Sequence, residues 1–168
     1  MAKPKVAIVM GSDSDLPKLE KTIETLRTLG IVFSVDVMSA HRTPQAAHDF
    51  AVGAEKAGYK IIIAAAGGAA HLAGVLASLT TLPVIGVPIP TSNLGGLDSL
   101  LSTVQMPGSV PVATVGIGSG GATNAAVLAV QILALSDARL RRKLVAYKKK
   151  NAKAVAAKSK KVKKEVGC

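Results

Sequence analysis

Ile31-Val32-Phe33-Ser34-Val35-Asp36-Val37-Met38 runs straight into Ser39-Ala40-His41-Arg42-Thr43-Pro44, and this junction decides the fold. Phe33, Val35 and Val37 alternate with Ser34 and Asp36, the period of a strand. Thr43 is a helix-capping type, and Pro44 suits a first helical position, where a missing N–H costs nothing. The following pattern predicts a helix over Pro44–Ala57, stopped by Gly58. An imidazole (His41) and a guanidinium (Arg42) therefore stand together at the mouth of a strand-to-helix turn. A titratable ring and a rigid donor fork are equally at home on a solvated loop or around an anion.

The same strand-then-helix order recurs on both sides. Lys5–Met10 is an apolar run of strand length ended by Gly11. Ser12-Asp13-Ser14-Asp15-Leu16-Pro17 follows, with capping-box spacing between Ser12 and Asp15. The helix this starts runs to Leu29, with Leu19, Ile23, Leu26 and Leu29 on one face and Gly30 as its stop. Lys60–Ala66 is continuous in Ile and Ala, as a strand buried on both faces should be. It ends in Gly67-Gly68-Ala69-Ala70-His71-Leu72, and a helix follows through Leu79. Leu82–Val87 predicts a fourth strand and Pro88–Asn93 a loop. Leu94–Met106 reads as partly helical, broken by Pro107-Gly108, and Val110–Val115 as a fifth strand. Final helices are expected over Ala122–Leu135 and from Asp137 onward. Five such units predict an open parallel α/β sheet with right-handed crossovers.

Composition agrees. Hydrophobic residues make up 49% of the 168, with two Phe, two Tyr and no Trp, so Ala, Val, Ile and Leu must build the core. No apolar run is long enough to span a membrane, the N-terminus has no secretory pattern, and the single Cys168 has no partner for a disulfide. A cytoplasmic protein is the expectation. The net charge of +11 is local: residues 1–140 hold nine Lys+Arg and nine Asp+Glu, whereas residues 141–168 hold twelve Lys+Arg and one Glu. The expected organisation is an α/β domain over 1–147 and a lysine-rich tail over 148–168. Leu140, Leu144 and Tyr147 recur at helical spacing. Beyond them the valines are too few to bury, and a frayed, solvated helix or disorder is expected. Neither a specific nucleic-acid partner nor a membrane is called for.

In an open parallel sheet all strand-to-helix loops open on one edge, where ligands bind. The first three loops thus bring Ser12, Ser14, Asp15, Ser39, His41, Arg42 and His71 to one rim. The two serines suit an anion cradle or capping alone; Asp15 suits sugar hydroxyls. Nothing here gathers a metal site or a Ser–His–Asp triad. His48, inside a helix, reads as a face residue. Gly116–Gly121 fits G-x-G-x-x-G, but on the last strand, with no later strand to carry an acidic ribose ligand. A phosphorylated small molecule undergoing proton transfer is what the rim suits.

Five stretches in order carry a resemblance: Val9–Asp15, Ser39–Pro44, Ala66–Leu72, Asp98–Leu101 and Val104–Pro107. Together they are similar to the N5-carboxyaminoimidazole ribonucleotide mutases of purine biosynthesis, the microbial class of the aminoimidazole ribonucleotide carboxylase family. The resemblance covers residues 4–145. It implies a flavodoxin-like three-layer sandwich with a long C-terminal helix, a homo-octamer, and carboxylate transfer from the exocyclic nitrogen to ring carbon four without ATP or metal. No cofactor is implied. His41 would be the general acid/base. Ser12, Asp15 and Arg42 would hold the ribonucleotide, and Ser14, Ser39, Ala40, Gly67, Gly68, Ala69, His71 and Leu72 would line the site. Ala73 departs from the family's proline, which is expected to loosen the loop before it. Direct carboxylation with carbon dioxide and a non-catalytic phosphoribosyl-binding module are the alternatives; a receiver-like domain lacks its acceptor aspartate at Ala65-Ala66-Gly67.

Overall fold

Five parallel strands lie in the order β2-β1-β3-β4-β5, with β1 at Val6–Met10, β2 at Phe33–Val37, β3 at Ile61–Gly67, β4 at Val84–Ile89 and β5 at Ala113–Thr114. The helices between them are α1 (Leu16–Leu29), α2 (Pro44–Ala57), α3 (Leu72–Leu79), α4 (Leu97–Val104), α5 (Gly118–Leu133) and α6 (Ala138–Val166). This is a flavodoxin-like strand order, with its switch point between β1 and β3. The computed structural model of the chain describes residue 3 and residues 5–91 and 93–167; Ser92 and Cys168 lie outside the described residues. The chain falls into two compact units, Met1–Ala129 and Val130–Cys168.

In the first unit, β1 and β3 pair residue for residue from Val6↔Ile61 to Met10↔Ala65. Both strands are apolar on both faces, and every residue of β1 is buried. On one face Ala7, Val9, Ile62 and Ala64 pack with Ala47, Ala51 and Ala54 of α2 and Leu72, Ala73 and Leu76 of α3. The alanines let α2 lie close to the sheet. On α1 the buried stripe is Leu19, Thr22, Thr25, Leu26 and Leu29, while Ile23 is only half-buried. The threonines are buried because each hydroxyl has an acceptor: Thr22 donates to the Ala122 carbonyl at 2.7 Å and Thr25 to the Lys21 carbonyl at 2.7 Å. Each buried isoleucine of β3 adds about 1.5–3 kcal/mol by leaving water.

Several boundaries differ from expectation. β4 continues through Pro88, which pairs with Ala66 of β3; its missing N–H is harmless because β5 pairs only with Ile85 and Gly86. β5 is correspondingly short, since Pro111 cannot donate to a ladder. α5 starts at Gly118, so the last four residues of the G-x-G-x-x-G stretch, Gly118–Gly121, form its first turn. A side chain at Gly121 would collide with the Gly116 carbonyl, so that tight turn requires glycine there. On the edge strand β2 the alternation is real, yet Val35 and Val37 are 41% and 57% exposed.

In the second unit, α6 is continuous. Asp137 caps it, accepting from the Arg139 and Leu140 N–H groups at 2.9 and 3.1 Å. Leu140 and Leu144 are buried, Tyr147 is half-buried, and every residue from Lys148 to Gly167 is exposed. The solvated-helix form of the expected tail is the one observed.

Candidate active site

The first loop is built around Asp15. Ser12 caps a 3₁₀ turn at Asp13–Asp15 in a capping box. The Asp15 carboxylate accepts the Ser12 N–H at 3.2 Å, and the Ser14 hydroxyl donates to Ser12 Oγ at 2.8 Å. Burial pushes the Asp15 carboxyl above its ordinary range. The Ser12 N–H pulls the other way, the Asp13 charge adds to the rise, and Arg42 opposes it. The carboxyl is therefore partly withdrawn from water and can accept from a hydroxyl donor placed in the cleft.

The second loop closes on itself. Thr43 Oγ1 accepts the Ser39 N–H at 2.8 Å and donates to the Ser39 carbonyl at 3.1 Å, so it does not cap α2 as expected. Ser39 Oγ takes the Arg42 N–H at 3.2 Å. The Arg42 guanidinium reaches back across the sheet edge, where Nη2 donates to the Gly11 carbonyl at 2.8 Å. One arm of the fork thus ties the first two loops, and the remaining donors are left for an anion.

The third loop brings in the second imidazole. His41 Nε2 and His71 Nδ1 are 2.8 Å apart, with the rings at 87°. One facing nitrogen must carry the proton and the other accept it. The loop before His71 is held from α4. Ser99 Oγ accepts the Gly68 N–H at 2.9 Å and donates to the Ile89 carbonyl at 2.7 Å. Ser102 Oγ accepts the Ala70 N–H at 3.0 Å. Gly68 itself sits at φ +66°, a turn that favours glycine. Ala73 is buried at the start of α3. Thr91, after β4, donates to the Asp98 carboxylate at 2.9 Å.

These loops enclose a cleft of about 310 Å³ lined by Gly11, Ser12, Asp15, Ser39, Ala40, His41, Arg42, Ala66, Gly67, Ala69, His71, Leu72 and Thr91. Of the expected site residues, Ser14 and Gly68 do not line it: Ser14 bonds to Ser12, and Gly68 shapes the loop. Gly11, Ala66 and Thr91 were not anticipated. Thr91 could have been, because the loop after a fourth parallel strand opens on the same edge. A neighbouring groove of about 240 Å³ shares Gly11, Ser12, Ser39 and Arg42 with the cleft. His48 lies elsewhere, exposed, 3.1 Å from its neighbour Asp49. Among the described residues no cluster of His, Cys, Asp and Glu forms a metal-ligand set.

Chemically, the rim offers a fixed cation, hydroxyl donors, an acidic acceptor and two rings able to pass a proton. The profile of the AIR carboxylase family matches residues 5–154 of this chain. The chain belongs to that family. A relative from Pyrococcus abyssi is 54% identical over 145 residues, 86% of this chain and 82% of its own length, and is named N5-carboxyaminoimidazole ribonucleotide mutase. One of the same name from Mycobacterium tuberculosis strain H37Rv is 53% identical over 156 residues, covering 93% of this chain and 88% of its own. Among solved structures, Treponema denticola PurE superposes with a TM-score of 0.86 at 30% identity, over 95% of this chain and 99% of that one. The flavodoxin-like sheet with its long C-terminal helix is thus a shared fold, and the five stretches noted in the sequence lie within the family match.

Proposed function

We propose that this AIR carboxylase family member converts N5-carboxyaminoimidazole ribonucleotide to 4-carboxy-5-aminoimidazole ribonucleotide in purine biosynthesis, with the cleft as its active site and His41 as general acid/base. The activity rests on kinship with the mutases named above; the role of His41 rests on the His41–His71 contact at the rim of a cleft of nucleotide size. Arg42 with Ser12 and Ser39 takes the phosphate, and Asp15 takes ribose hydroxyls. Ser14, Ala40, Gly67, Gly68, Ala69 and Leu72 support or line the same space.

In the reaction, the bond between the exocyclic nitrogen and its carboxylate carbon breaks, the electron pair stays on nitrogen, and His41 supplies the proton. Carbon dioxide is held over the Gly67–Ala70 loop, away from water. Ring carbon four then attacks it, and His41 takes the proton from that carbon, which restores the aromatic product ring and returns the imidazole to its starting protonation state. A positioned acid/base contributes roughly 10²–10⁴-fold.

The protein works as a homo-oligomer, an octamer as the resemblance implies, in the cytoplasm. Supporting this, Val35, Val37, Leu97 and Leu101 are large apolar side chains left 41–57% exposed on one copy. Among the described residues no helix is long and apolar enough to cross a membrane. The catalytic body extends to residue 147.

The deciding experiment supplies the N-carboxylated ribonucleotide without ATP or added carbon dioxide and follows the carbon-carboxylated product. Turnover is expected. Efficient product formation from aminoimidazole ribonucleotide at low bicarbonate, with poor use of the N-carboxylated compound, would make the protein a direct carboxylase instead. Binding without turnover of either would leave a ribonucleotide-binding module.

A further inference from the structure

Nine lysines stand between Lys148 and Lys164, followed by the single acid Glu165. All nine are exposed. They are carried on an unbroken helix that ends on Gly167 in the left-handed conformation, φ 74°. Only Lys161 reaches Glu165, at 3.7 Å on the surface. Successive helical residues turn by about 100°, which sorts these side chains. Val155, Val162 and Val166 fall on one narrow line with Ala152 and Ser159. Lys149, Lys150, Lys153, Lys160, Lys161 and Lys164 spread over a broad arc on the opposite side.

We propose that α6 beyond Tyr147 is a binding arm for duplex nucleic acid, which grips phosphates of both strands and reads no base. Charge spacing carries the inference. At 1.5 Å of rise per residue, Lys148 to Lys164 span about 24 Å, one cation roughly every 3 Å. A duplex presents one phosphate charge per about 1.7 Å of its axis, shared between two strands. A broad arc of cations can face both backbones across a groove, where a single row would meet one. Long flexible ammonium stems act as point charges that suit phosphates, and the one amide of the segment, Asn151, falls beside the valine line, away from the arc.

Other occupants fit less well. A helix that lies in a bilayer surface needs a wide, bulky apolar face; this one has three valines and no aromatic after Tyr147. A second copy of the same arm would set lysine against lysine. Four of the nine lysines lie within residues 5–154, which the family profile matches, and the five from Lys158 on lie outside the region it describes.

The test uses the full chain and a labelled DNA duplex of arbitrary sequence, about 24 base pairs long, with anisotropy read from about 50 to 200 mM salt. Binding is expected, falling at least tenfold over that range, with a log–log slope of about −0.9 per phosphate engaged. Changing Lys150, Lys153, Lys160, Lys161 and Lys164 together to Gln should lower affinity at least tenfold and flatten the slope by about four. Arg at the same five positions should keep both, and neither set should change turnover. Deleting residues 151–168 should match the Gln set. Three results would overturn the proposal: no duplex binding at low salt, affinity unchanged in the Gln set and the deletion, or tighter binding to phosphatidylglycerol vesicles than to duplex.

Discussion

His41 Nε2 and His71 Nδ1 meet at 2.8 Å although they come from the ends of strands that are not neighbours in the sheet, β2 and β3, with β1 between them. Neither ring sets its tautomer alone, because the proton between them belongs to the pair. His41→Asn keeps a hydrogen-bonding group but cannot carry a proton. Turnover should fall roughly 10²–10⁴-fold while calorimetric affinity for the ribonucleotide stays close to the parent's. His71→Asn should cost less in kcat and reshape its pH profile. Parent-like turnover in His41→Asn would remove His41 from the reaction.

Arg42→Lys changes a planar fork into a point charge. The ammonium cannot both reach the Gly11 carbonyl and present paired donors to a phosphate. Ribonucleotide binding should weaken by about 1.5–3 kcal/mol, the usual worth of a charged hydrogen bond. Calorimetry with the product nucleotide reads this directly, and unchanged affinity would place the phosphate elsewhere.

Asp15 links the site to pH. Burial holds its carboxyl above the ordinary value, so the folded chain binds this proton more tightly than the unfolded chain does. Its stabilising contribution is complete below the ordinary carboxylate range and is lost as pH rises through the raised native value. Asp15→Asn keeps an acceptor for the Ser12 N–H and removes that dependence. Parent and variant should melt together in acid, and the variant should melt higher at neutral pH. Affinity for the ribonucleotide should nonetheless drop about tenfold or more, since the sugar loses a charged acceptor. Melting differences that are flat with pH, or of opposite sign, would contradict the assignment.

Ser99→Ala tests the support from α4. Ser99 is fully buried, and its hydroxyl serves both the Gly68 N–H and the Ile89 carbonyl. Removing it strands both groups, at a cost of about 1–3 kcal/mol in urea unfolding. Turnover should fall further than this loss of stability alone explains, because the loop under the carbon dioxide position is then free to shift. A variant with parent-like kinetics would show that the loop holds its shape without α4.

The sequence pattern revealed the strands of the sheet's centre, the order of elements and the three loops that supply Asp15, His41, Arg42 and His71. These follow from local periodicity and from the geometry of parallel sheets, in which loop position is not a free choice. What it concealed depends on long-range partners. Thr22 looks like a surface residue until the Ala122 carbonyl, a hundred positions away, is in place. Ser99 and Ser102 reach a loop more than thirty positions earlier in the chain, which no periodicity announces. β5 shrank because Pro111 and the extent of β4, not the apolar run around it, determine what can pair. Thr43 looked like a cap and instead bonds to Ser39.

The cleft draws on the ends of four strands, from Gly11 to Thr91, and Arg42 bridges two of them. With the ribonucleotide in this cleft as proposed, its binding site is complete only once β1 to β4 are aligned. Ligand and folding are then thermodynamically coupled: free ribonucleotide at a hundred times its Kd adds about 2.7 kcal/mol to the folded state. Metabolite supply would thereby set how long the chain resists proteolysis as well as how fast it turns over.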